Sequence, residues 1–496
     1  MHRKTIISSL IFKFFERVGS QGIAFIVGLI LARLLTPSDY GLVSMLTIFI
    51  AVAGVFVQSG LGTALVQKKG VDEQDYSSVF YLSLLIAIIM YILLFAVAPF
   101  ISDFYRMPQI TSLLRINALI LIPGAFNSIQ NAKLVKEMQF KKMLFCNLGA
   151  VLISGFIGVF MAFQGYGAWA LVGQQIAGAL SICVIMLFAV KWKPKLVFSF
   201  AKVKTLFSFG WKLLVSGLLD TLYINLQSLV IGKKFSAATL GYYNRGRSFP
   251  ELVMTNVNGS INAVMLPAYS AEQDDKKRLK VMMRRSIMTS SFFVLPAMAG
   301  LAAVAKPLVL LLLTEKWLPA VPFLQLSCII YAFWPIHTAN LQAINAMGRS
   351  DIFLKLEIIK KTFGVIILII TVFYFDSVMA ILIGSILTVP ISMFLNAYPN
   401  DKLLNYNISE QVKDILPSLG ISLAMGVLVW CVSLLHLGAA LTLVIQLVLG
   451  ALIYVTAAKM LKIEAYSYIR DIISESIQQR QRKIGKQETD HTEIKL

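Results

Sequence analysis

Charged residues are scarce in this sequence: Asp, Glu, Lys and Arg together make up 14% of its 496 residues, against about 25% in ordinary globular domains. Hydrophobic residues make up 57%, and the mean hydropathy is +0.76. A water-soluble core cannot bury that much apolar surface, so the composition predicts a chain that uses lipid as its solvent. The apolar runs are continuous and do not alternate with polar residues, which excludes a membrane β-barrel.

Enzyme signatures are also missing from the sequence. It contains no phosphate-cradling glycine loop followed by Lys-Ser or Lys-Thr, no HExxH, and no loop long enough for a catalytic or nucleotide-hydrolysing domain. Only four cysteines occur, Cys146, Cys183, Cys328 and Cys431. They stand singly within apolar runs without metal-ligand spacing, and we interpret them as small core residues. We therefore expect neither a metal nor an organic cofactor, and the chain is predicted not to be an enzyme.

Fourteen apolar stretches are long enough to cross a bilayer, which takes about 20 residues each. They cover 10–33, 41–66, 78–101, 111–131, 144–163, 167–190, 206–232, 244–266, 287–313, 320–346, 354–374, 377–398, 415–435 and 438–461. With the N-terminus placed in the cytoplasm, about 35 of the 45 Lys and Arg residues fall in inside segments, as the positive-inside rule requires. The net charge of +20 therefore reflects cytoplasmic loops and not nucleic-acid binding. We predict an all-α polytopic protein with about 14 transmembrane helices and both termini in the cytoplasm.

A weak internal repeat divides the chain. The segment LILARLLTPSDYGLV (29–43) matches LVIGKKFSAATLGYY (229–243) at an offset of 200 residues. Thr36 is predicted to cap a helix, with Pro37 at its first position and Asp39 at its third, and Ser236 occupies the matching place. Pro123 and Gln130 recur with the same spacing as Pro335 and Gln342, at an offset of 212 residues. Two pseudo-symmetric six-helix lobes are thus predicted, related by an axis along the membrane normal, with a cavity between them.

The predicted organisation follows from this repeat. It comprises an N-terminal six-helix lobe (1–190), a cytoplasmic inter-lobe loop (191–205), a C-terminal six-helix lobe (206–398), two additional helices (399–461) and a cytoplasmic tail (462–496).

Charges within spans are the main functional signal, because each costs roughly 2.5–3.5 kcal/mol at a helix centre. In the first span, Lys13, Glu16 and Arg17 lie on one stripe with two further polar residues. In the seventh span, Lys212 and Asp220 share a stripe in the same way. The alternative is that the end charges reach back to the interface and that the other polar residues bond helices together.

The eighth span is the most polar of all. Arg247 and Glu251 are four residues apart and are expected to neutralise each other, and Asn258 continues the same face. Arg245 suits an anion such as a phosphate, which a guanidinium binds through two parallel hydrogen bonds; the alternative is a loop arginine at headgroup level. His337, in the tenth span, is a candidate proton relay.

The stretch FFERVGSQGIAFIVGLILARLLTPSDYGLVSMLTIF and the following QSGLGTALVQKK closely resemble the opening of bacterial polysaccharide exporters of the Wzx flippase type. LGYYNRGRSFPELV, LTEKWLPAVPFLQL and NAMGRSDIFLKLEIIKK are also similar to that group. The likeness covers most of the chain and is weakest after about residue 400. It places the chain by similarity in the multidrug/oligosaccharidyl-lipid/polysaccharide exporter superfamily.

The resemblance implies a fold of two six-helix lobes, here with two extra helices. The implied activity is the transfer of an undecaprenyl-pyrophosphate-linked oligosaccharide across the bacterial cytoplasmic membrane by alternating access, for O-antigen, capsule or exopolysaccharide synthesis. By similarity, Arg17 and Glu16 fall where relatives place cavity charges, and Arg245 falls where they keep a basic residue.

The candidate site residues form two groups. Those expected to bind the substrate are Arg17, Arg245, Lys13, Lys212 and Arg247. Those expected to couple transport or to line the cavity with polar groups are Asp220, Glu16, Glu251, Asn258 and His337.

An energy source for net transport is required as well. The ionisable residues permit a coupling ion, proton or sodium, and depletion of substrate outside is the other option. We expect a monomer in contact with membrane lipid and associated with glycan polymerase machinery. Three alternatives stay open: a multidrug or cation antiporter of the same fold, a membrane glycan polymerase or ligase, and a lipid scramblase without sugar preference.

Overall fold

The structure is a computed structural model that describes residues 3–190, 192–471 and 474. Within these ranges, the side chains of 3–18, 209, 260 and 262–264 lie outside the description. In the described part of the chain every regular element is a helix. Backbone contacts divide the chain into two compact units, the first up to Asn244 together with Leu312–Lys316, and the second from Arg245 to Leu311 and from Trp317 onward.

The helices of the first unit begin at α1. They are α1 (Arg3–Leu34), α2 (Pro37–Gln58), α3 (Leu61–Gln67), α4 (Glu73–Tyr105), α5 (Gln109–Asn117), α6 (Leu121–Lys136), α7 (Phe140–Phe163), α8 (Ala168–Ala189), α9 (Phe200–Lys234) and the beginning of α10 (Ala237–Ala271).

The second unit contains the rest of α10 and the later helices. These are α11 (Lys276–Ala303), α12 (Ala305–Leu313), whose end belongs to the first unit, α13 (Val321–Ala332), α14 (Trp334–Ala346), α15 (Ser350–Tyr374), α16 (Val378–Leu404), α17 (Ile408–Cys431) and α18 (Ala439–Met460). A further helical segment covers 464–471.

Eleven of the described helical stretches are long and apolar enough to cross a membrane. The other three predicted spans lie in α1, whose apolar part is the shorter stretch Gly19–Leu34, and in α10 and α15. Those last two are helical over 25 residues or more but carry more polar and charged residues. The polytopic all-α architecture is thus confirmed, while the number fourteen stays a prediction.

The predicted helix start at Thr36 is confirmed. The Thr36 hydroxyl accepts a hydrogen bond from the Asp39 backbone N–H at 3.2 Å, and the Asp39 carboxylate accepts one from the Thr36 N–H at 2.9 Å. Pro37 opens the helix, where its missing N–H costs nothing. At the matching place of the second copy, the Ser236 hydroxyl accepts from the backbone N–H of Thr239 at 3.2 Å. Both copies therefore use a hydroxyl cap.

The same two segments touch each other through glycine. A Cβ atom on Gly41 would overlap the carbonyl oxygen of Ala237, and a Cβ on Gly241 would overlap that of Pro37. Pro37 matches Ala237 and Gly41 matches Gly241 at the offset of 200 residues, so the two contacts are images of each other. Such reciprocity is the pattern of a local two-fold relation between these two segments, both of which belong to the first unit.

Candidate functional site

The polar stripe of the first helix is only partly described. Lys13, Glu16 and Arg17 lie on α1, but their side chains are outside the described part of the structure. The stripe continues with Ser20 and Gln21, whose Oγ and Oε1 atoms are buried and have no hydrogen-bond partner among the described residues.

The stripe on α9 is open to its surroundings. Lys212, Ser216 and Asp220 are all exposed. Of the residues in the most apolar stretch of this helix, only 6% are buried inside the protein. Charged groups avoid hydrocarbon because of their desolvation cost. An exposed charged stripe on a membrane-spanning helix therefore faces water or a polar ligand.

The C-terminal half of α9 is held by the beginning of α10. The Tyr243 hydroxyl donates to Gln227 Oε1 at 2.8 Å, and the Ser228 hydroxyl bonds to Asn244 Oδ1 at 3.4 Å. These contacts join the C-terminal half of α9 to α10, whereas Lys212 and Asp220 in the preceding part of the helix are exposed.

The two candidate arginines of α10 have different surroundings. Arg247 donates through Nε to the Tyr331 hydroxyl at 3.0 Å and forms the predicted pair with Glu251, with Nε and Oε2 3.4 Å apart. Arg245 is half-buried, and its guanidinium carbon lies 5.7 Å from the centre of the Phe249 ring. Both arginines thus contact protein groups, Arg247 a hydroxyl and a carboxylate, and Arg245 an aromatic face.

Asn258 and His337 lie among amides and hydroxyls. Asn258 is buried, and its Oδ1 accepts from the Thr338 hydroxyl at 3.3 Å. His337 Nδ1 lies 3.2 Å from Asn396 Nδ2. An amide nitrogen only donates, so Nδ1 accepts and the imidazole proton belongs on Nε2. The side chain that hydrogen-bonds His337 Nδ1 is therefore an amide and not the carboxylate that a proton relay most often uses.

A ladder of buried amides extends from this point through the second unit. Asn400 Nδ2 donates to Asn340 Oδ1 at 2.8 Å, and Asn340 Nδ2 donates to Gln411 Oε1 at 2.9 Å. Hydrogen bonds of this kind join membrane helices, and here they link α14, α16 and α17. Sequence analysis missed this ladder because its members lie 60 and 71 residues apart.

A cluster of charges at the beginning of α11 was missed for the same reason. Arg284 forms ion pairs with Asp414 and Glu464, each at 2.8 Å, and the Tyr406 hydroxyl donates to Asp414 at 2.7 Å. Hydrogen bonds from Arg284 hold the pKa of Glu464 below its usual value. Burial is the main cause that raises the pKa of Tyr406, and the hydrogen bond to Asp414 raises this pKa further. This cluster fastens the segment after α18 to α11.

The inter-lobe loop is fastened to the beginning of α4. Lys202 pairs with Asp72, and Lys195 pairs with Glu73. The Lys202 ammonium and the backbone N–H of Asp75 lower the pKa of Asp72 to about 2. Backbone amides of the loop also donate to serine hydroxyls on α4, at 3.1 and 2.9 Å. The loop is therefore an ordered part of the first unit.

The chain has relatives of known role. A family model described as "Polysaccharide biosynthesis protein" matches residues 30–322. The lipopolysaccharide biosynthesis protein WzxC of Escherichia coli (strain K12) is 24% identical over 416 residues, which cover 82% of this chain and 84% of that protein. The succinoglycan biosynthesis transport protein ExoT of Rhizobium meliloti (strain 1021) is 26% identical over 327 residues, 66% of each chain.

The fold has a counterpart among solved structures. The lipid II flippase MurJ in an inward closed conformation superimposes with a TM-score of 0.74 at 17% identity, covering 94% of this chain and all of that one. At this identity the likeness concerns the fold alone. It gives a multi-pass membrane architecture that agrees with the apolar helices described above. Because the family model covers more than half of the sequence, the chain belongs to the polysaccharide biosynthesis protein family.

Proposed function

We propose that this protein is a flippase that moves an undecaprenyl-pyrophosphate-linked oligosaccharide from the inner to the outer leaflet of the bacterial cytoplasmic membrane. The observation that carries the proposal is the exposed stripe of Lys212, Ser216 and Asp220 on a membrane-spanning helix. Membership of the family and the names of the relatives support it, since those names refer to polysaccharide biosynthesis, to transport and to a lipid flippase.

The physical task of such a flippase is to replace water around the headgroup. A pyrophosphate with sugars cannot cross bare hydrocarbon, because an unpaired charge in a low-dielectric medium costs far more than binding returns. Fixed cations and hydroxyls on a helix that spans the membrane supply substitute hydrogen bonds. The hydrocarbon tail stays in lipid throughout. Transport then requires no covalent step, in keeping with a transporter that is not an enzyme.

The mechanism proposed is alternating access between the lobes 1–190 and 206–398, with 399–461 as additional helices and both termini in the cytoplasm. The reciprocal glycine contacts support a two-fold relation between the copies.

In this proposal, Arg17 and Arg245 contact the pyrophosphate at different stages, and Lys13, Lys212 and Arg247 add positive potential. Glu16, Glu251, Asn258 and His337 contribute polar groups, and Asp220 binds a coupling proton or sodium ion. The protein acts as a monomer that passes its product to glycan polymerase machinery.

The test is reconstitution of the protein in liposomes with labelled lipid-linked oligosaccharide, scored by the fraction of label that reaches the opposite leaflet. We expect transfer of the lipid-linked sugar, and no comparable transfer of a plain phospholipid of the same charge. Equal transfer of both lipids would replace the proposal with a scramblase. Movement of organic cations without movement of lipid would replace it with an antiporter.

A further inference from the structure

The second unit contains an elongated cavity between α10 and α11. Its volume is about 730 Å³, and its wall is mostly apolar, with Ile261 and Met265 on α10 and Met282 and Phe293 on α11. The lining runs along α11 from Met282 to Phe293, which at 1.5 Å per residue corresponds to about 16 Å. A long and mostly apolar space of this size is suited to a hydrocarbon chain.

One end of the cavity is polar and positively charged. Arg285 lies there, with its guanidinium carbon 5.0 Å from the centre of the Tyr468 ring. The neighbouring Arg284 is paired with two carboxylates, whereas Arg285 is exposed and attracts the Glu464 carboxylate only at longer range. The hydroxyls of Ser286 and Thr289 line the cavity beside it.

A buried hydroxyl lines the same end of the cavity. Tyr269 is 1% exposed, and its hydroxyl meets no described group at full hydrogen-bond geometry, although the Ser286 side chain is close enough to interact with it. A poorly satisfied buried hydroxyl is costly. A ligand oxygen at this end would give it a well-aligned acceptor and would also be held by Arg285.

The direction of the cavity matches the orientation of a lipid. Its cationic end lies near the beginning of α11, next to the basic segment 270–286 that is assigned to the cytoplasmic side. Its other end reaches Phe293, which is 56% exposed and lies deeper in the membrane. A lipid of the inner leaflet has the same arrangement, with its phosphate at the surface and its chain pointing inward.

We propose that this cavity is a binding site for an anionic phospholipid of the inner leaflet. Its phosphate accepts hydrogen bonds from Arg285 and from the Ser286 and Thr289 hydroxyls, and one acyl chain extends past Ile261 toward Phe293. The Tyr269 hydroxyl donates to an oxygen of the headgroup or of the ester. The proposal depends on the membrane location and the sidedness, but not on the identity of the transported glycan.

The test is native mass spectrometry of the purified full chain with added dioleoyl phosphatidylglycerol or the zwitterionic dioleoyl phosphatidylcholine. We expect a phosphatidylglycerol adduct that Arg285→Gln weakens about tenfold, the effect of losing one charge-assisted hydrogen bond. Met282→Trp should weaken it as well by filling the cavity. Arg278→Gln is the matched control, because this arginine of the same helix pairs with Glu272 away from the cavity. A thermal unfolding curve identifies any variant that fails to fold.

Two results would overturn the proposal. One is a phosphatidylglycerol adduct that neither Arg285→Gln nor Met282→Trp weakens relative to the Arg278→Gln control. The other is displacement of the adduct by an equal amount of undecaprenyl phosphate, which would assign the cavity to the isoprenoid chain of a carrier lipid. Failure of the flipping assay, by contrast, would leave the lipid adduct and its dependence on Arg285 unchanged.

Discussion

Arg245 and Arg247 are two residues apart on one helix and are expected to respond differently to substitution. Arg247 is held by Tyr331 and Glu251, so its charge is partly neutralised. Arg245 lies against the Phe249 ring and presents the planar fork of donors that suits a pyrophosphate. At the residue scale, the question is whether the fork or merely the positive charge is required.

Arg245→Lys and Arg17→Lys should each reduce transfer of lipid-linked oligosaccharide in liposomes by about tenfold or more, because lysine offers a point charge in place of two parallel hydrogen bonds. The corresponding Ala variants should lose more. Arg115→Lys is a matched control for Arg245, since Arg115 also lies over a phenylalanine ring, that of Phe95 at 4.2 Å. Normal transfer by both Lys variants would leave only a general requirement for positive potential.

Asp220 is the residue at which coupling can be tested. It is an exposed carboxylate on α9 within the otherwise apolar LLVSGLLDTLYIN. Asp220→Asn keeps the shape but cannot bind a proton or a sodium ion, so we expect transfer to lose its dependence on an imposed ion gradient. The measurement compares transfer with and without the gradient in both proteins. An unchanged gradient dependence in Asp220→Asn would limit this residue to bonding helices.

At the scale of elements, the glycine contacts of α2 and α10 make a specific prediction about stability. Gly41→Ala and Gly241→Ala force a methyl group against a backbone carbonyl, and overpacking of this kind costs about 1–3 kcal/mol. Gly54→Ala is the control on α2, because its Cβ would meet nothing within 4 Å, and alanine is the better helix former by about 1 kcal/mol. Thermal unfolding in detergent should show lower midpoints for the first two only. Equal midpoints for all three would mean that the segments are not pressed together.

The inter-lobe loop should be held less firmly in acid. The pKa of Asp72 is lowered from 3.8 to about 2 by Lys202 and a backbone amide. A lowered pKa stabilises the folded state above the unfolded value, and that contribution is lost as the pH falls through 3.8 toward 2. Hydrogen exchange of the 192–199 amides should therefore differ between wild type and Lys202→Met at pH 5 and converge near pH 2. A difference that does not change over this interval would rule out the pair as the cause.

Some elements were predictable because their causes are local. The Thr36 cap and the Arg247–Glu251 pair depend on residues three and four positions apart, and both were predicted from the sequence.

Other features could not be predicted from local patterns. The predicted span 320–346 consists of two helices, α13 and α14, with a break at Phe333 ahead of Pro335. Mean hydropathy shows that a stretch is apolar enough to cross the membrane, but it does not show where the helix is broken. The Arg284 cluster joins residues 130 and 180 positions apart, and no local pattern indicates such a contact. Cys431 is exposed, which corrects its interpretation as a core residue.

At the scale of the whole molecule, the distribution of basic residues predicts sidedness. Reporter fusions at Lys202 and at Ile494 should both report a cytoplasmic location, because about 35 of the 45 Lys and Arg residues then lie inside. A fusion in the loop QGYGA, at Gly165, should report the outside and serves as the control of opposite sign. An external signal at Lys202 or Ile494 would overturn the orientation or the even number of spans.

The contact between Gly41 and Gly241 also bears on how the N-terminal ends of α2 and α10 would separate. The atoms that the two glycines approach, those of Ala237 and Pro37, belong to the backbone. Parting two backbone segments breaks van der Waals contacts, each individually weak, and salt does not screen such contacts. The rate of this separation should therefore depend little on ionic strength, whereas release of the loop that Lys202 and Asp72 hold should accelerate with salt.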